Sequence, residues 1–380
     1  MQPVRSADYP AHPKLQDIMA LAEDAATPDD DLTFDDVFCA WRSYLGREDI
    51  PVLLVRSTDR ARKLLMQAFG IADAEPVGIP ANSRRALSEA VKRSKGTPRF
   101  IEMDANLEFD PQTQGIEGIR LAWSEPVGGM MPPEPLPGVP LFVDFGFTMP
   151  KPLPEGPLPG LAVLWGLHLP GPYDGALIAF ADNDLYEAAK GLLDEHDDPS
   201  LPHAMAQYRR FAGEDGITAR QMWLYNEIRL GMEAGAGLPM SKDEHWALPY
   251  GLAVRIPDEA DAGTFISYVR NELVDLDWLP EIQPMFFVSF QITRDMERTR
   301  QTANNLARWI VSPIGPDFVD DEITHAVLGI LKAAEYTGVR WYTDPERADW
   351  YNNLLIEWYG PNHDAYRKTF PAREVGSALV

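Results

Sequence analysis

The chain has 380 residues, 45% of them hydrophobic, with a formal net charge of −24 at neutral pH. That content can fill a sizeable core, and the length suggests two or three domain-sized units. The acidic balance argues against nucleic acid and anionic membrane surfaces as partners, and no apolar run reaches the roughly 20 residues that cross a bilayer.

The N-terminal stretch MQPVRSADYPAHPK lacks the apolar centre of a signal peptide, so a cytoplasmic location is expected. An arm over 1–31, polar and proline-containing, leads into the acidic TPDDDLTFDD, which predicts a capped helix from about Phe34. Cys39 lies in that helix, in FDDVFCAWRSYL, where Phe38, Trp41 and Leu45 recur at helical spacing; a small buried residue is the expectation. With one cysteine no intramolecular disulfide can form, and the seven histidines include no HxxxH or HxH pair, so no metal site is expected.

From Pro51 strands and helices alternate. PVLLV predicts a buried strand, DRARKLLMQAFG an amphipathic helix stopped by Gly70, EPVGIP a strand, SRRALSEAVKRS a helix and PRFIEMD a third strand. GIRLAWSEP and VPLFVDFG continue the series, and then GLAVLWGLHLPGPYDGALIAF joins two apolar runs through His168 and a Pro-Gly-Pro turn. Those runs read as neighbouring buried strands, whose connection would lie at a sheet edge where α/β proteins place their chemistry. DNDLYEAAKGLLDEH reads as the next helix and 217–235 as a longer one. YGLAVRIP, DAGTFISYVRNELVDL, PMFFVSF and DDEITHAVLGILKAAE then suggest a smaller α+β unit. The tail is rich in aromatics, with Trp350, Leu354 and Trp358 on one face of a predicted helix that would dock on its own protein or mark an interface. Such alternation is the signature of a mostly parallel sheet covered by helices.

In their order these segments resemble the DegT/DnrJ/EryC1/StrS aminotransferases, which act on nucleotide-linked sugars and related cyclitols with pyridoxal phosphate (PLP). The resemblance is carried by LTFDDVFCAWRSYLGREDIPVLLVRSTDRARKLLMQAFGI, IPANSRRALSEAV, PRFIEMDANLEFDP, VPLFVDFGFTM, YDGALIAFADNDLYEAAKGLL, GITARQMWLYNEIRL and IGPDFVDDEITHAVLGIL, over about residues 32 to 332. It implies an α/β, fold type I PLP-transferase-like three-layer sandwich with a mostly parallel central sheet, plus a smaller C-terminal α+β domain. The implied division is an arm at 1–31, a large domain at 32–238, a small domain at 239–335 and an aromatic-rich extension at 336–380.

A PLP enzyme of this class needs a lysine for the cofactor, a carboxylate beside the pyridine nitrogen and backbone donors at a helix start for the phosphate. The resemblance implies Asp144 as the carboxylate, while its place at a strand end equally allows a turn cap. It implies Ser57, Thr58 and Asp59 as the phosphate turn, with an acidic group in place of a glycine. A carboxylate about 4 Å from a phosphate is repelled by roughly 1 to 4 kcal/mol. Arg56, Arg60 and Arg62 are available to compensate, but Asp59 reads better as a helix cap. Where the family stacks an aromatic on the ring, PANSRRAL has Asn82, Ser83, Arg84 and Arg85. From Asp144 through Gly175 the one lysine is Lys151, whereas the family's lysine sits just ahead of the glycine-glycine strand. The loop between Trp165 and Asp174 is also a few residues shorter than the family's.

His168 then resembles the histidine base of lysine-less sugar 3-dehydrases, which use pyridoxamine phosphate (PMP); an imidazole suits proton transfer near neutral pH. The bland alternative is a structural histidine in a tight turn. Arg220 matches the family's arginine, but Thr218 stands where an asparagine is expected. The expected function is therefore a pseudo-aminotransferase without covalent PLP, a binding or scaffolding subunit or one with a repurposed pocket. It would pair as a homodimer, or as a heterodimer with a related aminotransferase, and take a small anionic or sugar-like ligand. The alternative is a 3-dehydrase-like enzyme holding PLP or PMP non-covalently.

Overall fold

The structure is a computed structural model. It describes residues 33–212 except 84, 106, 111, 114–115, 127–134, 147, 168–174, 195–198 and 200, together with 248–249, 251–256, 261, 264, 283–284, 299–306 and 308–313.

Helix α1 (Phe34–Tyr44) begins with a reciprocal cap: the Thr33 hydroxyl accepts the Asp36 amide at 3.3 Å, and the Asp36 carboxylate accepts the Thr33 amide at 2.8 Å. Its inward stripe is Val37, Trp41 and Leu45, at i, i+4 and i+8. Cys39 lies two positions round from that stripe and is exposed, with the Arg42 guanidinium 3.0 Å from its sulfur. The expectation of a buried Cys39 is thereby corrected: the inward face is set by Val37 rather than Phe38.

Strand β1 (Val52–Val55) is buried throughout and feeds helix α2 (Thr58–Ala68). Gly70, at φ +76°, supplies the left-handed residue that ends this turn of chain, as the sequence predicts. Next come β2 (Pro76–Pro80), α3 (Arg85–Arg93), β3 (Thr97–Ile101), β4 (Leu121–Ser124), β5 (Leu141–Phe145), the short β6 (Thr148–Met149), β7 (Ala162–Gly166) and β8 (Ala176–Phe180). Helix α4 (Asn183–Gly191) is capped by Asp182, whose carboxylate accepts the Leu185 amide at 3.0 Å. Helix α5 (Leu201–Ala212) follows.

The main sheet has seven strands in the order β1-β8-β7-β5-β4-β2-β3. All pairings from β7 to β3 are parallel, and β8 alone runs the other way, antiparallel to both β7 and β1. The two apolar runs of the sequence are thus adjacent strands, with Val163 opposite Ala179 and Trp165 opposite Leu177.

Alternate residues of each strand serve two cores. Val143, Phe145, Val163, Trp165 and Leu177 pack with α1 and α5, where Trp41 meets Tyr208 edge-on at 5.4 Å. Phe142, Leu164, Ile178 and Phe180 pack on the other face with Ala61, Leu64 and Leu65 of α2, Val91 of α3 and Leu185 of α4. Helices on both faces of a mostly parallel sheet make the expected three-layer α/β sandwich.

A second sheet contains β10 (Gly251–Arg255), β12 (Trp309–Pro313) and β11 (Gln283–Pro284) in that order, while β9 (Leu248–Pro249) pairs with β6. Helix α6 (Arg300–Leu306) precedes β12 and docks on the segment after β3. Thr302 donates its hydroxyl to Glu102 Oε2 and accepts the Met103 amide at 2.8 Å. Asn305 Nδ2 reaches the Met103 carbonyl at 2.9 Å, and the Trp309 indole N–H reaches Ala105 O at 3.2 Å. The helix anticipated at 217–235, the segments DAGTFISYVRNELVDL and PMFFVSF for all but isolated residues, and the aromatic tail lie outside the described residues.

Candidate functional site

The parallel strands bring their C-terminal ends to one edge. There α2 begins after β1, Ala81–Ser83 follow β2, Ser124 and Glu125 end β4, and Asp144 to Gly146 end β5. The β7–β8 connection returns to the same edge, where the Leu167 amide donates to Gly175 O at 2.8 Å.

Ser57 caps α2: its hydroxyl accepts the Arg60 amide at 3.2 Å. Asp59 is therefore not the cap, which corrects the sequence reading. Lying in the first turn, it favours the helix dipole and forms ion pairs with Arg62 at 3.2 Å and Arg93 at 3.6 Å. Thr58 is buried.

Asp144 is fully enclosed, its side chain 0% exposed, and Arg62 beside it is 1% exposed. Arg62 Nε donates to Asp144 Oδ2 at 2.6 Å and Nη2 to Oδ1 at 3.3 Å, a forked pairing; the Gly146 amide adds a third bond to Oδ1 at 2.8 Å. Burial works against the guanidinium charge, but Asp144, Glu125 and Asp59 outweigh it and hold Arg62 above its ordinary pKa. A side chain at position 146 would have no room, since a Cβ there would lie 2.7 Å from Asp144 Oδ1 and 2.8 Å from Arg62 Nη2.

Arg62 is expected from the sequence at the phosphate turn, as a compensating cation. It is instead the partner of Asp144. The available signal was a charged residue on a stripe that is otherwise inward, with Thr58 at i−4 and Leu65 at i+3 both buried.

Asn82 and Ser83, where a stacking aromatic would be expected, follow β2 in a turn closed by Ser83 N to Pro80 O at 2.9 Å. Asn82 Oδ1, Ser83 Oγ and, at the end of β4, Ser124 Oγ are buried with no hydrogen-bond partner among the described residues. Lys151 is half-buried, and burial lowers its pKa. The chain around it lies against α1: the Tyr44 hydroxyl donates to Pro150 O at 3.1 Å, and the Leu153 amide donates to Leu45 O at 2.9 Å. Helix α1 covers the sheet face opposite to α2 and Arg62. His168 and Arg220 lie outside the described residues.

No protein-family model and no curated protein sequence matches the chain. Solved structures do match it in shape. NtdA from Bacillus subtilis, with bound cofactor PMP, is 12% identical with a TM-score of 0.64, over 87% of this chain and 86% of its own. A DegT DnrJ EryC1 StrS aminotransferase from Brucella abortus is 12% identical with a TM-score of 0.60, over 83% of this chain and 94% of its own. The GDP-4-keto-6-deoxymannose-3-dehydratase ColD, in a histidine-to-asparagine mutant with bound GDP-perosamine, is 12% identical with a TM-score of 0.58, over 85% and 100%. At such identities the likeness establishes the fold, the α/β aminotransferase architecture of fold type I, and its neighbours include sugar aminotransferases of the DegT type.

The PLP or PMP that this fold implies can be tested against the residues. A pyridinium nitrogen requires a carboxylate oxygen it can reach, and both oxygens of Asp144 are already engaged within a site closed to solvent. The first turn of α2, a helix start whose amides would suit a phosphate, carries the Asp59 carboxylate instead, paired with Arg62 and Arg93. These residues do not fit the cofactor as they are arranged.

Proposed function

We propose that the protein is a pseudo-aminotransferase: the sugar-aminotransferase scaffold without covalently bound PLP, serving as a binding or scaffolding subunit or offering a repurposed pocket. One observation carries this reading. The sole lysine between Asp144 and Gly175 is Lys151, which follows β6 beside α1, on the sheet face away from Asp144. With Lys151 on the other face, the stretch from Asp144 to Gly175 supplies no amine beside Asp144, and in this reading the cofactor has no covalent anchor and classical transamination is not expected. The arginines of the β1–α2 turn and the buried hydroxyls of Ser83 and Ser124 at this strand edge favour a small anionic or sugar-like ligand, and dimerisation with itself or with a related aminotransferase follows by analogy with the fold.

A second reading is favoured by the likeness to ColD: a PMP- or PLP-dependent dehydrase in which His168 is the base. In that reading the cofactor is held non-covalently and Arg62 must first leave Asp144. Purification with added PLP or PMP, desalting, and near-ultraviolet and visible absorbance separate the two. The pseudo-aminotransferase reading expects no retained cofactor; stoichiometric retention that is lost on Asp144→Ala overturns it.

A further inference from the structure

Asp144 raises a question beyond the missing lysine: what its carboxylate does in a chain that anchors no cofactor. We propose that Arg62 is a resident cation that takes the position of a ring nitrogen at Asp144, so that this end of the pocket is complete without a cofactor and shut to cationic rings. The inference rests on the pseudo-aminotransferase reading and names the residue that enforces it.

The geometry matches a cation site already filled. A guanidinium is planar, delocalised and permanently charged, and it presents its N–H groups edge-on to a carboxylate, as a protonated ring nitrogen presents its single N–H. Here the edge is forked, at 2.6 and 3.3 Å, and the Gly146 amide takes a further lone pair of Oδ1 at 2.8 Å. A carboxylate offers about four acceptor positions, so three are occupied. At Gly146 even an added Cβ would lie 2.7 Å from Asp144 Oδ1 and 2.8 Å from Arg62 Nη2, so the chain passes close against the pair on that flank.

Arg62 is also held from behind. It projects from a helix whose neighbouring Ala61, Leu64 and Leu65 are buried, and Asp59 binds its Nη1 at 3.2 Å. A ring could reach Asp144 only by displacing a guanidinium that is 1% exposed and paired with a carboxylate that is itself fully enclosed. An ion pair serving stability alone would show the same contacts, so the test has to ask whether the space accepts other cations.

That test is cation rescue. Arg62→Ala opens a cavity on Asp144, and the probes are methylguanidinium and 4-aminopyridine, whose ring nitrogen is protonated at neutral pH. The expected result is an Arg62→Ala protein with lowered Tm that each probe raises by about 2 °C or more at about ten times its Kd. Wild-type protein and Arg62→Ala/Asp144→Asn should show no such rise. If Arg62→Ala is insoluble, recovery of soluble protein when it is refolded with 4-aminopyridine counts as support.

Absence of rescue by 4-aminopyridine, by Tm or by refolding yield, overturns the proposal even where methylguanidinium rescues, and so does an equal rise in the wild type. Cofactor retention by the wild-type protein would instead refute the pseudo-aminotransferase reading, so the two failures are distinct.

Discussion

Thr302 is buried and its hydroxyl makes two bonds, accepting the Met103 amide at 2.8 Å and donating to Glu102 Oε2. Thr302→Val keeps the shape and the β-branching and deletes both. The Met103 N–H, left buried without a partner, costs about 1–3 kcal/mol, and a bond to a charged carboxylate contributes about 1.5–3 kcal/mol. Glu102 still accepts the Thr302 amide at 2.8 Å, so the second contribution enters at its lower end. The expected loss is about 3 kcal/mol. Thr302→Ser, which removes only a methyl group, should lose about 1 kcal/mol. Urea denaturation followed by tryptophan fluorescence measures both, and amide exchange at Met103 reports the local opening. A loss for Thr302→Val under about 1 kcal/mol, or one no larger than that of Thr302→Ser, refutes the reasoning.

Ser57→Ala removes the cap of α2 and should cost about 1 kcal/mol in the same assay; a neutral result would mean that the first turn finds another acceptor. Lys151 makes stability depend on pH in the alkaline range. Its pKa is lowered by burial, so between that lowered value and the ordinary value of 10.5 the unfolded chain binds the extra proton, and stability rises with pH. Lys151→Met should therefore flatten the alkaline rise and stabilise the protein at neutral pH, which thermal melts across that range will show or deny.

Much of the architecture was readable because its signals are local. Val52–Val55, Leu141–Phe145 and the two runs around Trp165 and Ile178 are short, apolar and bounded by glycine, proline or aspartate, and each became a buried strand. The pairing of Arg62 with Asp144 was not readable, since 82 residues separate them and neither carries a mark of the other. At Asp59 the choice of cap turned on one residue, because Ser57 and Asp59 are both good caps and only backbone geometry decides between them. Helix α5 went unanticipated because Pro202 and the polar run Gln207 to Arg210 blur its apolar stripe; its inward side shows only in contacts such as that of Tyr208 with Trp41.

The reversal of β8 has a consequence for how this chain can change over generations. A parallel neighbour must be reached by a crossover of a dozen or more residues that travels back along the sheet, so its length is bound to the architecture. The link from β7 to β8 is a hairpin instead, closed by Leu167 and Gly175 at the edge where it began. Closure entropy varies only with the logarithm of loop length, and no strand has to move when such a link gains or loses residues. This segment is therefore a place where insertion and deletion weigh little on folding stability. Selection for a folded protein would constrain the length of this link little, and the same tolerance makes the hairpin a site at which new residues can be installed.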